Sequence, residues 1–257
     1  MNDAASSSVD LASVWRELED AGKADDLTRL RGIELRTREI MQKYHAAMRQ
    51  MVVRFEVLDE DLNLKKNRNP IHHIESRIKT PTSIFGKLER YGMEPTLENM
   101  EQHILDIAGV RVICSYIQDV YNLLDLLYKQ DDLEIVKVKD YIADPKPNGY
   151  RSLHVIVRTP VYFLDKKEYI PVEVQLRTIA MDFWASLEHD LKYKAVRRLD
   201  GVNADAELKD CSRIIEDVES RMQVLARALE ADTSHRADAN GPAASAPTGA
   251  AQSITGA

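Results

Sequence analysis

The sequence predicts an α/β domain, one β-sheet with helices packed on it. Two observations carry this. Four runs in the middle of the 257-residue chain are strand-like, and the stretches around them space their apolar residues by three and four.

The first ten residues are small and polar and predict a disordered start. Residues 11–69 predict a helical extension. Within it, Ile40, Tyr44, Met48, Met51, Phe55 and Leu58 recur at helical steps, and 59–70 reads as a connection. Residues 70–200 mix both periods. Thr80-Pro81 supplies an N-cap and a proline at the first helical position, and Pro95-Thr96 opens another helix to about residue 107. Strands are predicted over 110–116, 133–141, 152–159 and 169–177. A helix is predicted over 117–129, and another from Thr178. Residues 201–230 hold a heptad-spaced seam of Leu208, Cys211, Ile215, Val218, Met222, Leu225 and Leu229. It fits a helix packed on its own domain or an oligomer seam. Residues 231–257 are mostly small and polar and predict a disordered tail.

Hydrophobic side chains make up 44% of the chain, enough for a real core. No run approaches the roughly 18–20 apolar residues of a membrane span, and no secretory leader is visible. Two cysteines, Cys114 and Cys211, exclude a disulfide scaffold and fit a cytoplasmic setting. The net charge of −7 argues against a protein that coats nucleic acid. Residues 65–200, however, carry 21 basic and 20 acidic side chains, so the negative charge lies in the flanks. An anionic ligand belongs in the middle.

Residues 171–177 read Pro-Val-Glu-Val-Gln-Leu-Arg. A period of two puts Val172, Val174 and Leu176 on one face and Glu173, Gln175 and Arg177 on the other. The run 152–158 repeats this, with His154 and Arg158 opposite Leu153, Val155 and Val157. Donors plus one carboxylate suit a polar ligand and a cation, although a solvated sheet face accounts for the pattern alone. Ser83, Lys87 and Arg90 share one helix face. With Arg77 and Lys79 they gather four cations and a hydroxyl near a helix N-terminus, an arrangement for polyphosphate or simply a solvated basic face. There is no P-loop motif. Asp106, in Asp-Ile-Ala-Gly-Val-Arg, offers a second carboxylate beside Glu173. Two carboxylates plus substrate phosphates can hold Mg²⁺, and a capping or salt-bridged aspartate is the plainer alternative. In the loop 146–154, Asn148-Gly149 marks a turn and presents Tyr150 to stack on a nucleobase or to anchor the turn.

In order, Arg-x-Lys-x-x-x-Ser-Ile-x-x-Lys, Asp-Ile-Ala-Gly-x-Arg, Lys-x-Asn-Gly-Tyr-Arg-Ser-x-His and Val-Glu-Val-Gln-x-Arg-Thr-x-Ala-Met-Asp-Phe-Trp-Ala-x-Leu-Glu-His resemble the synthetase domain of the RelA/SpoT family. The resemblance spans about residues 70–193. It implies a nucleotidyltransferase-like mixed sheet flanked by helices. It also implies transfer of the β,γ-pyrophosphoryl group of ATP to the ribose 3′-hydroxyl of GDP or GTP, giving (p)ppGpp and AMP. By motif it assigns ATP to Arg77, Lys79, Ser83, Lys87, Arg90 and Arg111, with Arg77 and Arg111 sandwiching adenine. It assigns Mg²⁺ to Asp106 and Glu173, and Glu173 also acts on the 3′-hydroxyl. The acceptor falls to Lys139, Lys146, Asn148, Tyr150, His154, Gln175 and Asp182, with Tyr150 stacking on guanine. About 70 residues precede the motifs, too few for the hydrolase domain of long members. The expectation is a small alarmone synthetase of the stringent response, a homotetramer built through terminal helices. A tRNA 3′ end as acceptor would share fold and motifs. No extended basic stripe supports a stable nucleic-acid partner, so RNA or tRNA contact stays an alternative.

Overall fold

A computed structural model describes residues 27–66, 68–194 and 204–239. The expectations for residues 1–26 and for the tail from residue 240 lie outside the described residues. The elements run α1 (Leu27–Lys66), β1 (Ile71–Ile78), α2 (Pro81–Arg90), α3 (Leu97–His103), β2 (Ala108–Cys114), α4 (Ile117–Tyr128), β3 (Glu134–Asp140), β4 (Leu153–Tyr162), β5 (Lys167–Thr178), α5 (Ile179–Lys194) and α6 (Ala204–Ala239). The chain divides into two compact units, 1–216 and 217–257. The first holds the whole sheet, and the described part of the second is the remainder of α6.

The five strands lie in the order β1-β2-β5-β4-β3. β2 and β5 are parallel and all other neighbours antiparallel, so the sheet is mixed. One face is apolar: Val110, Val112, Val155, Val157, Val172, Val174 and Leu176 are fully buried. Alternation forces this, because the same side chains fall on one side of every strand. α1 crosses β1, β2, β4 and β5. It buries Tyr44, Ala47, Met51 and Phe55, while α4 buries Val120, Leu123 and Leu127. These residues form one contiguous core. The other face of the sheet is left for polar groups. Among the described residues no helix is long and apolar enough to cross a membrane.

Several elements differ from expectation. α1 continues to Lys66 through the expected connection, because residues 59–66 contain no glycine or proline and Lys65 pairs with Asp61 at 2.7 Å across one turn. β1 carries its isoleucines at 71, 74 and 78, a helix-like spacing that conceals a strand. It is an edge strand with a register shift between Ile71 and His73, so its pairing imposes little alternation. α3 stops at His103, where Ile104 turns extended and is buried on the way into β2. β4 and β5 run on to form a hairpin closed by the Phe163 N–H on the Lys166 carbonyl at 2.8 Å. α6 extends through the first part of the expected tail to Ala239, because no glycine or proline interrupts it before Gly241.

The two readings of the 201–230 seam separate along α6. At its start Trp184 Nε1 donates to the Leu208 carbonyl at 2.9 Å, and Ser212 Oγ donates to the Gly149 carbonyl at 2.6 Å. This end packs on its own domain. Farther along, Val218, Met222, Leu225 and Leu229 are exposed.

Phe55 is the largest fully buried side chain of α1 against the sheet. Phe55→Ala should destabilise the protein by about 3–5 kcal/mol, through lost transfer energy and the cavity left behind. A urea titration with a midpoint shift worth less than about 1 kcal/mol would show that α1 does not hold the sheet face.

Candidate active site

The polar face of the sheet is organised in two rows that follow the strand register. One row runs Glu75, Arg111, Gln175, His154, Lys139 across all five strands. The other runs Arg77, Gly109, Glu173, Ile156, Lys137. Glu173 therefore stands on the central strand with basic groups toward both edges. Gly109 between Arg77 and Glu173 leaves the floor low. An added Cβ would meet the Arg77 carbonyl at 3.7 Å and the Glu173 carbonyl at 3.9 Å, ordinary contacts, so the glycine supplies space rather than relief of strain.

Asp106, in the turn before β2, is the other carboxylate. Lys79 and Lys87 both donate to its Oδ2, at 2.6 and 2.8 Å. Burial pushes its carboxyl up, but these hydrogen bonds and charges outweigh burial and hold it below the usual carboxylate range. Lys87 is held above its ordinary value: burial works against this, and the bond and charge of Asp106 prevail. Glu173 is also lowered. Burial and the nearby charge of Asp106 raise it, while His154 and the Gln175 amide lower it further. Both carboxylates are thus ionised at neutral pH, and both line the same two cavities.

The Asp106 Oδ1 atom is buried with no hydrogen-bond partner. That is the lone pair a divalent cation would use. Among the described residues no three His, Cys, Asp or Glu side chains converge to hold a metal unaided. Asp106 and Glu173 therefore fit a cation that takes its other ligands from phosphate and water, as Mg²⁺ does.

The residues expected on the acceptor side form a hydrogen-bonded chain. Arg177, 6% exposed at its side chain, donates to Tyr150 Oη at 2.7 Å, to Asp182 Oδ1 at 3.0 Å and to Gln175 Oε1 at 3.2 Å. Its guanidinium carbon lies 5.2 Å from the centre of the Tyr150 ring. Tyr150 Oη is 2.8 Å from His154 Nε2, and His154 Nδ1 is 3.3 Å from Glu173 Oε1. Since Tyr150 Oη accepts from Arg177, one consistent assignment has Tyr150 donating to Nε2 and Nδ1–H donating to Glu173. Lys146 Nζ lies 4.7 and 4.6 Å from the rings of Tyr141 and Tyr150. Gly149 has φ +90°, and an added Cβ would lie 2.8 Å from Ser212 Cβ, so the loop backbone must be bare there to seat α6.

Residues 76–198 match the family model described as a region found in RelA / SpoT proteins. The GTP pyrophosphokinase YwaC of Bacillus subtilis (strain 168) is 48% identical over 179 residues, covering 70% of this chain and 85% of that protein. The chain belongs to the RelA/SpoT family. Among solved structures, the small alarmone synthetase 2 from Bacillus subtilis matches with a TM-score of 0.66 at 42% identity, over 74% of this chain and 98% of that one. The small alarmone synthetase 1 from the same organism, bound to its product pppGpp, matches with a TM-score of 0.68 at 27% identity, over 75% and 97%. The mixed sheet flanked by helices is thus the fold of small alarmone synthetases.

Arg77, Asp106, Arg111, Glu173 and Gln175 line one cavity of this RelA/SpoT fold, and Lys87, Asp106, Lys139, His154 and Glu173 line the other. The expected cluster at the N-terminus of α2 is not realised as such. Thr80 Oγ1 caps the Ser83 N–H at 3.3 Å and bonds Ser83 Oγ at 2.9 Å. Lys87 lies two turns on, and Arg90 ends the helix, about 13 Å along the axis from Pro81. Arg90 is exposed and its Nε donates to the Gly86 carbonyl at 3.0 Å. Asn148 ties the loop down, donating to Glu188 at 3.0 Å and accepting from the Tyr150 N–H at 3.2 Å. Asp182 bridges Arg177 and, at 3.6 Å, Arg111. Glu75, Tyr91, His103 and Lys137 line these cavities without having been singled out, while Arg177, expected on the polar face, braces Tyr150. The alternation of Glu75, Arg77 and Lys79, and of Lys137 and Lys139, was the available signal. Nothing marked Tyr91 or His103.

Replacing both lysines, as Lys79→Met/Lys87→Met, leaves burial alone acting on Asp106, so its carboxyl should rise above the usual value near 4. In the wild type the depressed carboxyl contributes stability above its unfolded value, lost only as pH falls through the folded one. The double variant should gain relative stability on acidification, as its buried carboxyl takes up a proton. The gap between the two urea midpoints should therefore be widest near pH 7 and narrow toward pH 4. A gap independent of pH would show that the lysines do not control Asp106.

Proposed function

We propose that the protein transfers the β,γ-pyrophosphoryl group of ATP to the 3′-hydroxyl of GDP or GTP, with AMP as leaving group. One observation carries the reading. Glu173, on the central strand, is shared by two cavities lined by cations from opposite edges of the sheet, and Asp106 lies in both. Two anionic nucleotides can thus approach one carboxylate pair from two sides. The name of YwaC as a GTP pyrophosphokinase and the pppGpp bound by small alarmone synthetase 1 support the same chemistry. A tRNA acceptor finds no support in these relatives.

On the donor side Arg77 and Arg111 present guanidinium planes suited to adenine, and Lys79 and Lys87 face the phosphates. On the acceptor side Tyr150, fixed by Arg177, supplies a ring for guanine, Lys139 and Lys146 supply charge, and His154 supplies hydrogen bonds. Glu173, already ionised, takes the proton of the 3′-hydroxyl as that oxygen bonds the β-phosphorus. The bond from this phosphorus to the α,β-bridging oxygen breaks, and AMP leaves with the electron pair. Mg²⁺, held by Asp106 and Glu173, would supply charge neutralisation on the phosphates. Positioning and electrostatics do most of the work.

Assembly into a homotetramer is part of this reading. The exposed Val218, Met222, Leu225 and Leu229 supply apolar surface for it. A cytoplasmic location also belongs to it and agrees with the free cysteines Cys114 and Cys211.

The test is thin-layer chromatography with γ-³²P-ATP, Mg²⁺ and GMP, GDP or GTP. A labelled guanosine product with stoichiometric AMP is expected. Glu173→Gln, which keeps the shape and loses the base, should lower turnover by at least about 10²-fold. No labelled product with any acceptor, or full activity in the variant, would refute the reading.

A further inference from the structure

Arg177 holds Tyr150 by its hydroxyl, but the backbone of Tyr150 belongs to a loop, since β4 begins only at Leu153. The loop closes on itself. The Gly149 N–H donates to the Lys146 carbonyl at 2.8 Å, and the Lys146 N–H donates to the Tyr150 carbonyl at 3.1 Å. Outward, Asn148 ties it to Glu188 on α5, and Gly149 ties it to α6. There Ser212 Oγ donates to the Gly149 carbonyl at 2.6 Å, with both residues buried. One turn farther along α6, Glu216 lies 3.4 Å from buried Arg151, the residue after Tyr150. Ser212 and Glu216 are four residues apart and share a helix face, so one side of α6 grips the chain just before and just after Tyr150. Trp184 secures the start of this helix through the Leu208 carbonyl, and its ring meets that of Tyr150 edge-on, with centres 6.5 Å apart. Leu208, Ser212 and Glu216 all lie beyond residues 76–198, the stretch shared with the family.

A buried carbonyl that loses its donor is costly. Without the Ser212 hydroxyl, arrangements of the loop that turn the Gly149 carbonyl to water become more populated, and in them Tyr150 leaves its place. The apparent affinity for a ligand stacked on Tyr150 falls with the fraction of molecules whose loop is seated. We propose that Ser212 is a positioning residue for the acceptor nucleotide: by seating Gly149 it fixes where the Tyr150 ring stands. It acts through the loop and not on the reacting atoms. The effect is confined to the acceptor, because the donor-side Arg77, Lys79, Lys87 and Arg111 stand on or beside β1, α2 and β2 rather than on this loop. The inference deepens the proposed function and rests on it for the identity of the acceptor.

The experiment compares wild type, Ser212→Ala and Cys211→Ala in steady-state kinetics and in urea titration. Cys211 is the exposed neighbour of Ser212 on α6 and controls for a substitution in this helix. Ser212→Ala should raise the KM for GDP about five- to tenfold. Its KM for ATP and its kcat at saturating GDP should stay within about twofold of wild type. Cys211→Ala should match wild type throughout. A hydroxyl that only lends stability would lower the urea midpoint and leave both KM values alone. That result, or an equal rise in both KM values, would overturn the inference. Calorimetric titration of the same proteins with GDP alone and with ATP alone separates this claim from the transfer reaction. If wild type makes no labelled product, yet Ser212→Ala weakens GDP and leaves ATP binding unchanged, the reaction is wrong and the role of Ser212 stands. If wild type does not bind GDP, or the variant binds it equally well, Ser212 does not position the acceptor.

Discussion

Strand β5 is the constraint on which the rest of the structure depends. It is hydrogen-bonded on both sides, to β2 in parallel and to β4 antiparallel. Its alternate residues Val172, Val174 and Leu176 are sealed beneath α1 and α4. With one face committed to the core, Glu173, Gln175 and Arg177 have no choice of side, since a slip of one residue would bury the carboxylate and expose the valines. Ladder bonds on both edges then fix the position of Glu173 more tightly than a loop could. The strand-borne groups Arg77, Arg111, His154, Lys137 and Lys139 are placed by register outward from this strand.

Burying charge beside charge has a cost that the surroundings must offset. Asp106 is compensated by two lysines, and Glu173 by an imidazole and an amide. The arrangement leaves Asp106 Oδ1 unpartnered, so compensation is deliberately incomplete on the side facing the cavities. Arg177 is buried more deeply than either carboxylate. It spends its donors on Asp182, Gln175 and Tyr150, which makes it part of the frame rather than a free cation. Through Asp182, 3.6 Å from Arg111, that frame also reaches β2 on the other side of β5.

The central part of the site was legible in the sequence because central strands alternate cleanly. Glu173, Gln175 and His154 fell on the polar face for the same reason that Val172, Val174 and Val155 fell in the core. The edges were not legible. β1 spaces its isoleucines like a helix, so Glu75 had no strand to stand on, and the alternation Glu75, Arg77, Lys79 went unused. Lys137 was invisible beside Lys139, because a lone lysine on an edge strand reads as solubility. Arg90 was misplaced for the converse reason: helical spacing gives a shared face but not the distance along the axis. The length of α6 escaped composition as well, since residues 231–239 are mostly small and polar like the tail that follows, and only the lack of glycine or proline there lets the helix run on.

The contrast between centre and edge also bears on how such a site can vary. A change at Glu173 or Asp106 alters the charge on which the others depend, because their ionisation is coupled through Lys87, His154 and each other. A change at Lys137 alters no partner, since it has none among the described residues, and removes no ladder bond, since only its side chain is exchanged. Side chains on the doubly paired central strand are therefore less free to change than side chains on the singly paired edge.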